Sequence, residues 1–313
     1  MNRSELAPEA SLAARLWAYQ AERFPLAKTA ILVAIFSAAS INASAVLASR
    51  PLPDFGAYAL AFFVTLTIFF HLRACDEIKD LEDDRRFRPE RPIPRGLVSL
   101  RSIVGIAIGL AAVAAVAVYL RQPALLVPLC LVWGWLALMT AEFGAPDWLK
   151  ARPQLYLVSH MAIMPLIDLF VTSVEWSPHA AAPPAGLWLF LAMSFANGCV
   201  LEIGRKLWAP ANERAGVETY SGLYGPGRAA FIWMAWVSAA FALLCGVALA
   251  MGVAATTIPA GAAAYFAAIW AAFGYRRDPS EATQKRMDMV AGLWVFACYA
   301  LAGFAPLLSR TTP

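Results

Sequence analysis

Apolar residues fill windows of about 17 to 26 positions that recur along the whole chain, and short polar segments separate them. A helix needs about 20 apolar residues to cross the hydrocarbon core of a bilayer, so each window is long enough to span it. The pattern therefore predicts an all-α, polytopic membrane protein. The predicted spans lie near residues 26–48, 56–74, 102–120, 124–141, 154–173, 184–203, 227–251, 257–274 and 288–308.

Residues 5–23 follow a different pattern, in which apolar and polar positions alternate at helical spacing. This spacing predicts an amphipathic helix that lies on the membrane surface rather than across it. We therefore expect two parts, an N-terminal amphipathic segment (1–25) and a single nine-helix membrane domain (26–310).

The positions of lysine and arginine test this count independently. With the N-terminus inside, 22 of the 25 cations fall in segments on the inner side of the membrane. The outer segments hold only Arg50, Arg121 and Arg310. Because cytoplasmic loops are enriched in Lys and Arg, this distribution predicts a cytoplasmic N-terminus and a bacterial-type plasma membrane. Loops 75–101 and 204–226 are then both cytoplasmic, and we expect them to form the mouth of a site.

Composition agrees with a membrane protein and excludes an ordinary soluble domain. The chain is 60% hydrophobic and 15% charged, whereas soluble domains carry about 25% charged residues. The charge is also concentrated. Residues 73–99 carry seven carboxylates and, with Arg101 just beyond them, eight cations, directly after an apolar run that ends at Leu72. A hydrophobic core does not accommodate charge at that density, so this segment is the first candidate for function.

Three of these acids have a spacing that suits a metal ion. If the second span continues as a helix, Glu77, Asp80 and Asp84 stand at i, i+3 and i+7 and share one face. Carboxylate oxygens are the ligands of hard divalent cations. Mg²⁺ usually takes a few of them and fills its other positions with water and substrate phosphate.

A second charged segment follows the sixth span, where Glu202, Arg205 and Lys206 stand at i, i+3 and i+4. Both segments lie at cytoplasmic ends of spans, so we expect them to converge on one mouth of the bundle. They indicate a site for a phosphorylated lipid, in which carboxylates hold Mg²⁺ and arginines bind phosphate oxygens. The alternative is a set of solvated charges that fix orientation and bind anionic headgroups. That alternative leaves the acids unexplained, because Asp and Glu contribute little to orientation.

The first segment resembles the first aspartate-rich motif of the UbiA superfamily of intramembrane prenyltransferases. That motif reads NDxxDxxxD and continues into a short RP…G segment. Asp76 stands at the Asn position, Glu77 at the first Asp, and Asp80 and Asp84 at the other two. The sequence RPIPRG follows at 91–96.

The second segment resembles the second motif of the same family, DxxxD followed by a loop with Gly and Thr. Glu202 matches the first Asp, and Gly216 and Thr219 match the loop. Lys206 stands at the second Asp position, so a cation replaces a metal ligand there. Two loop carboxylates could supply the missing ligand, Glu213 and Glu218.

The resemblance implies a mechanism and a set of site residues. Mg²⁺ holds a prenyl diphosphate at the mouth and assists the loss of pyrophosphate, and a nucleophile inside the bundle captures the allylic cation. The implied metal ligands are Asp76, Glu77, Asp80, Asp84 and Glu202. The implied catalytic residues are Asp80, Asp84 and Glu202. The residues expected to bind the diphosphate are Arg73, Lys79, Arg91, Arg95, Arg205 and Lys206.

Three functions are compatible with these features. A transferase, which passes the prenyl group to an aromatic or other lipophilic acceptor, is favoured. A terpene cyclase, in which a double bond of the same chain captures the cation, stays open because Lys206 separates this chain from the quinone-pathway members. A transporter or lipid-binding membrane protein is the alternative from another class. It would place its ionisable residues near the bilayer midplane, whereas nearly all the acids here lie at cytoplasmic ends.

His160 and Asp168 lie inside the fifth span. An ionisable residue within a membrane is by default a functional hypothesis, here a general base that removes a proton from the acceptor or from a cyclising cation. The other interpretation is a polar pair that neighbouring helices satisfy. Both interpretations stay open at this point.

Overall fold

A computed structural model describes residues 10–310, with side chains through 308, and these residues form helices and no strands. The α-helices, in chain order, are α1 (Leu12–Arg23), α2 (Leu26–Leu47), α3 (Phe55–Lys79), α4 (Leu81–Phe87), α5 (Leu100–Arg121), α6 (Leu126–Thr140), α7 (Pro146–Lys150), α8 (Pro153–Met161), α9 (Ile163–Trp176), α10 (Leu187–Arg205), α11 (Tyr220–Tyr224), α12 (Pro226–Ala250), α13 (Ala254–Arg277), α14 (Glu281–Gly303) and α15 (Ala305–Arg310). Short 3-10 helices lie at Pro123–Leu125, Glu142–Gly144, Ser177–His179 and Pro210–Asn212.

Nine helical segments of residues 10–310 are long and apolar enough to cross a membrane, which confirms the predicted fold class and number of spans. They are Leu26–Leu47, Phe55–Lys79, Leu100–Arg121, Pro123–Thr140, Pro153–His179, Leu187–Arg205, Pro226–Ala250, Ala254–Arg277 and Glu281–Leu308. The fifth span consists of α8 and α9, and Pro165 in the first turn of α9 accompanies the break between them. Proline has no backbone N–H to donate to the preceding turn, which explains the interruption.

The spans form two halves that close into one bundle. In the first half, α2, α3, α6 and α9 pack around a core that includes Ile41, Val64, Leu129 and Phe170. In the second half, α10, α12, α13 and α14 enclose a core that includes Phe190, Trp233, Tyr275 and Trp294. Contacts of α2 with α14 and of α9 with α10 join the halves. Gly303 permits the first of these contacts, because a Cβ there would collide with the backbone of Ala39.

Helix α1 packs onto the protein beside the first acidic motif. It begins after Ser11, whose hydroxyl accepts a hydrogen bond from the N–H of Ala14. On the buried side of α1, Ala18 and Tyr19 contact a small apolar cluster that includes Ala74, Leu97, Val98 and Ile103. The predicted amphipathic helix is thus present from Leu12 onward. Residues 5–9 of that prediction lie outside the described residues, and its place on the membrane surface stays a prediction.

The two ends of the bundle differ in their charged residues. The end that carries the last turns of α3 and α10, with Asp76, Asp80 and Glu202, is called the charged end. The opposite end carries Arg50 after α2 and Arg121 at the end of α5, and is called the far end.

Candidate active site

The predicted continuous helix through the first acidic motif is interrupted at Asp80. Helix α3 ends at Lys79, and Asp80 follows with φ −85° and ψ 0° before α4 begins. Helix α4 ends at Phe87, because Arg88 precedes a proline and that position disfavours helical backbone. The expectation that three acids line one straight helical face is therefore corrected. The structure places each of them in a different environment.

Glu77 points into the protein toward α1. Its side chain is 2% exposed, and its Oε1 accepts a hydrogen bond from Arg23 Nε at 2.6 Å and one from the Tyr19 hydroxyl at 3.4 Å. Burial and the neighbouring Glu77 carboxylate raise the pKa of Tyr19, so the phenol stays protonated and remains a donor. The charge of Glu77 is thus matched within the protein.

Asp84 is also neutralised inside the chain. Its side chain is 2% exposed, and Arg91 Nη1 donates to both carboxylate oxygens at 2.7 and 2.8 Å. Arg88 Nε lies 2.9 Å from Oδ1 and forms a second ion pair. Two guanidinium groups therefore hold this carboxylate and tie α4 to the loop that follows it.

Asp76 and Asp80 stay at least partly exposed at the charged end, and the accessible side of that end is called the opening. The side chain of Asp76 is 52% exposed, and Arg73 Nη1 lies 3.4 Å from its Oδ2. Asp76 lies within electrostatic range of Asp80 and of Glu202 in the second motif, and also of the cations Arg73 and Lys79. Burial, with repulsion from Asp84, raises the pKa of Asp80 above its ordinary value. Carboxylates from both motifs, with the cations that pair with them, therefore meet in one region, called the carboxylate region.

The end of α10 contributes the second motif. Glu202 and Lys206 form an ion pair of 2.7 Å at i, i+4, and Lys206 caps the helix. Desolvation lowers the pKa of Lys206, but attraction to Glu202 and the hydrogen bond between them outweigh it, and the pKa is raised overall. Lys206 is therefore a protonated ammonium group next to the carboxylate region.

The loop after α10 packs directly on the first motif. Gly216 has φ +76°, and a Cβ there would collide with the ring of Phe87 at the end of α4. Glu213 accepts hydrogen bonds from the hydroxyls of Thr219, at 2.6 and 2.7 Å, and of Ser221, at 2.8 Å. Glu213 thus fixes the loop from within instead of facing the opening. The match of Gly216 and Thr219 to the loop of the second motif stays a prediction.

A cleft of about 110 Å³ opens between α8, the end of α10 and α11. Its polar lining consists of Lys150, Tyr156, Lys206, Glu218, Thr219 and Tyr220. Of the two loop carboxylates considered from sequence, Glu218 therefore lines the cleft. Since Lys206 belongs to both the cleft and the second motif, the cleft is continuous with the carboxylate region.

A buried polar cluster lies beside this cleft and was missed by sequence reasoning. Lys79 Nζ lies 2.7 Å from Glu142 Oε1, 3.0 Å from the Tyr156 hydroxyl and 3.2 Å from His160 Nε2. His160 Nδ1 lies 2.9 Å from the Tyr156 carbonyl, and the two rings stack with centroids 3.9 Å apart. With the proton on Nδ1, His160 is neutral and its Nε2 lone pair accepts from Lys79. This arrangement favours the interpretation of His160 as a residue satisfied by its neighbours.

Glu142 reaches this cluster from a strained turn. Glu142 and Phe143 have φ values of +49° and +53°, in the left-handed region, and Gly144 follows at +73°. Non-glycine residues adopt this region at a cost of about 1–2 kcal/mol each. Such strain concentrates at functional sites. The only signal in the sequence is a lone carboxylate followed by Phe and Gly at the end of an apolar window.

Five of the six cations predicted to bind a diphosphate already have carboxylate partners inside the protein. Lys79 and Arg91 are held as described above. Arg95 donates hydrogen bonds of 2.9 and 2.7 Å to the carboxylate of Glu22 and one of 2.7 Å to the carbonyl of Glu90. Arg73 and Lys206 pair with the motif carboxylates of Asp76 and Glu202. Arg205 lies exposed in the last turn of α10.

Asp168 lies between the two halves of the bundle and is fully buried. Its carboxylate accepts hydrogen bonds of 2.6 Å from Ser40 and 2.6 Å from Tyr299, and Tyr299 also lies 3.1 Å from Ser194. These residues belong to α9, α2, α14 and α10. The network therefore joins four spans, as the second sequence interpretation of Asp168 requires.

The donor set at the charged end suits a metal ion that is bound together with a substrate. Within residues 10–310, no three His, Cys, Asp or Glu side chains form a cluster able to enclose a metal ion by themselves. Mg²⁺ usually takes one or two carboxylates and completes its shell with water and phosphate oxygens. Asp76, Asp80 and Glu202 are at least partly exposed, so one or two of them could serve as such ligands. Glu77 and Asp84 are buried and held by arginines at 2.6 and 2.7 Å.

Comparisons with known proteins concern the family and the fold of the chain. The sequence profile of the UbiA prenyltransferase family matches residues 37–296. Among curated protein sequences, none gives a significant match to the chain.

Three solved structures share the fold at low sequence identity. Digeranylgeranylglyceryl phosphate synthase has a TM-score of 0.61 at 17% identity, over 92% of this chain and 98% of that chain. A UbiA homologue from Aeropyrum pernix K1 has a TM-score of 0.62 at 18% identity, over 84% and 96% of the two chains. A UbiA homologue from Archaeoglobus fulgidus, bound to DMAPP and Mg²⁺, has a TM-score of 0.55 at 14% identity, over 88% and 98%.

Proposed function

Because the chain belongs to the UbiA prenyltransferase family, we propose that it is an Mg²⁺-dependent enzyme that ionises an isoprenoid diphosphate and transfers the prenyl group. The acceptor is an aromatic or other lipophilic molecule. The observation that carries this proposal is the meeting of partly exposed carboxylates from both motifs, Asp76, Asp80 and Glu202, and their paired cations at one end of a nine-span bundle.

The residues of the charged end have complementary roles in this reaction. Asp76, Asp80 and Glu202 would hold Mg²⁺, which when bound neutralises charge on the diphosphate and assists its departure. Arg73 and Lys206 donate hydrogen bonds to phosphate oxygens that carry the developing negative charge. These contacts strengthen as the bond between the prenyl carbon and the phosphate oxygen lengthens, so they lower the barrier to ionisation.

The cleft and the apolar spans of the bundle surround the prenyl group in this proposal. Tyr156 and Tyr220 line the cleft next to Lys206, and aromatic faces stabilise an adjacent cation. The apolar spans accept the hydrocarbon chain and limit the access of water, which would otherwise quench the cation. The A. fulgidus homologue binds DMAPP and Mg²⁺, which supports the same pair of ligands here. The distribution of Lys and Arg along the chain supports a cytoplasmic location for the charged end.

The first experiment is a pyrophosphate-release assay on the purified full chain in detergent. Prenyl diphosphates of several lengths are supplied with Mg²⁺ and no acceptor, and the organic products are extracted. Glu202→Gln is the test variant, and we expect release to fall about 100-fold because one of the carboxylates that would hold Mg²⁺ is lost. Glu281→Gln is a matched control, since Glu281 pairs with Lys285 at 2.6 Å and Glu202 pairs with Lys206 at 2.7 Å, both at i, i+4.

The outcomes separate the candidate functions. Mg²⁺-dependent binding with slow release and no cyclic product supports a transferase that requires its acceptor, and this slow basal release is the rate compared among the variants. Release with a cyclic hydrocarbon or alcohol indicates a terpene cyclase instead. If the chain neither binds nor releases any prenyl diphosphate, the enzymatic proposal is wrong and a transporter or lipid-binding role takes its place.

A further inference from the structure

Glu77 occupies an acidic motif position, yet its carboxylate is turned away from the opening at the charged end. The side chain is 2% exposed, and its Oε1 is shared by Arg23 and Tyr19 of α1. A ligand for a metal at the opening has to present its oxygens to substrate and water. The geometry of Glu77 is that of an anchor for α1.

Helix α1 contacts the first motif at two further points. Glu22 binds Arg95, in the loop between α4 and α5, through two hydrogen bonds of 2.7 and 2.9 Å. Phe24 packs edge-on against Phe70 of α3, with ring centroids 5.5 Å apart. Together with the Arg23–Glu77 pair, these contacts fix α1 against both sides of the acidic segment.

The rotation of the α-helix explains what this anchor achieves. Asp80 caps the end of α3 and its N–H still donates to the carbonyl of Asp76 at 2.9 Å, so the two residues lie one turn apart along the helix axis. Successive residues of α3 are about 100° apart around that axis. Glu77 lies about 100° from Asp76, on the side that meets α1. Holding Glu77 against α1 therefore turns the faces of Asp76 and Asp80 toward the opening.

We propose that α1 is a positioning element of the active site, in which the Arg23–Glu77 ion pair orients Asp76 and Asp80 and Glu77 is not a metal ligand. This inference rests on the proposed function, because it divides roles within the same Mg²⁺-dependent site. Arg23 also lies within the electrostatic reach of Asp84. The ion pair that anchors α1 therefore lies near the Asp84 carboxylate, which Arg88 and Arg91 hold.

A double-mutant cycle on the full chain tests the proposal. The variants are Arg23→Gln, Glu77→Gln and the combination of both. Arg85→Gln is the matched control, because Arg85 forms an exposed ion pair with Glu82 in the same charged segment. The probes are the unreactive farnesyl and geranylgeranyl thiolodiphosphates, whose affinity is measured by calorimetry over a range of Mg²⁺ concentrations. Hydrogen exchange of the α1 amides is measured in parallel.

Each single substitution leaves one buried charge without its partner and loosens α1. We expect each to weaken analogue binding about 10-fold, as is usual when the support of a metal ligand is lost. The double variant removes both charges, so it should bind no more weakly than either single variant. The Mg²⁺ midpoint should rise by a similar factor in all three variants, because each loses the same support of Asp76 and Asp80 and none loses a metal ligand. Exchange of α1 should be faster in the single variants than in Arg85→Gln.

Other results would overturn the proposal. A Mg²⁺ midpoint raised about 10-fold or more in Glu77→Gln and in the double variant, but not in Arg23→Gln, would make Glu77 a metal ligand. Additive losses, or unchanged exchange of α1, would exclude the anchor. If the single variants fail to fold, the double variant, which buries no unpaired charge, still decides through the exchange of α1, which loss of the anchor should accelerate. Absence of Mg²⁺-dependent binding in the wild-type protein would count against the proposed function, while α1 exchange would still test the anchor.

Discussion

The two ends of the bundle both carry buried or half-buried carboxylates, but they treat them differently. At the far end, Glu175 accepts hydrogen bonds from Arg50 Nε at 2.6 Å, from Arg50 Nη2 at 3.0 Å and from Ser44 at 2.6 Å. At the charged end, Asp76 lies within electrostatic range of Asp80 and Glu202 as well as of Arg73 and Lys79. The buried carboxylate of Glu175 is held by short hydrogen bonds on both oxygens, whereas the carboxylates at the charged end stand close together and stay partly exposed.

This difference separates structural charge from functional charge. A buried ion pair with all its hydrogen bonds made is explained by the fold alone. A group of like charges destabilises the fold unless a cation from outside joins it. The charged end therefore has the electrostatics of a site that is completed by a ligand, and the far end does not.

The largest expected effect comes from Asp80→Asn, which tests whether a carboxylate at the charged end serves function. Pyrophosphate release should fall by about 10³-fold, because the variant loses a charge that holds the metal and diphosphate. Asp83→Asn is the control, since Asp83 is exposed on α4 only three residues away. We expect that control to keep the wild-type rate in the same assay. Full Mg²⁺-dependent release by Asp80→Asn would remove Asp80 from the site.

The same variant has an opposite effect on stability. The pKa of Asp80 is raised in the folded protein, so between its ordinary and raised values the folded state binds more protons than the unfolded state. The free energy of unfolding therefore falls as the pH rises through that window. Asp80→Asn removes this pH-dependent loss of stability. In EDTA, the Tm of the variant at neutral pH should therefore equal or exceed that of the wild type. A marked decrease in Tm would mean that the Asp80 carboxylate stabilises the fold.

The sequence predicts what depends on one helix at a time. The nine spans follow from the length of the apolar windows, and the spacing of acids between Asp76 and Asp84 identifies the motif. Tertiary partners are what the sequence does not contain. Glu77 meets Arg23 across 54 positions, and Lys79 meets His160 across 81. Whether a motif charge faces substrate or another helix is decided by such contacts.

Two residues show what the periodicity of the sequence does not predict. Asp80 ends α3, although the pattern of charges around it continues at helical spacing, so the predicted common face is lost. Glu142 has no periodic partner in its apolar window, and its inward direction depends on two left-handed backbone conformations. Neither local propensity nor periodicity encodes these departures, because packing against neighbouring helices stabilises them.

The next prediction compares Glu142→Gln with Glu175→Gln. Each substitution replaces a buried carboxylate, and the two carboxylates lie at opposite ends of the bundle. Each change leaves a cation without its partner, and we expect a loss of about 3 kcal/mol in the free energy of unfolding for both. Only Glu142→Gln should also reduce pyrophosphate release, by about 10-fold, because Lys79 and Tyr156 beside the cleft lose their support. Denaturant titration and the release assay, normalised to folded protein, measure the two effects. Equal activity losses at both ends would contradict the division drawn above.

The smallest effect is expected at the rim of the far end, where Arg121 Nη2 lies 2.5 Å from Asp54. The hydrogen bond from Arg121 lowers the pKa of Asp54, so the pair contributes stability above the ordinary pKa of an aspartate and loses it as the pH falls through the lowered value. Asp54 also caps α3 by accepting from the N–H of Ala57. Asparagine keeps that cap and removes only the charge. Because exposed ion pairs contribute little, Asp54→Asn should lower Tm by less than about 2 °C and leave the release assay unchanged. A larger decrease in Tm, or any loss of Mg²⁺-dependent activity, would show that charge at the far end is coupled to the site, and the contrast between the two ends would no longer hold.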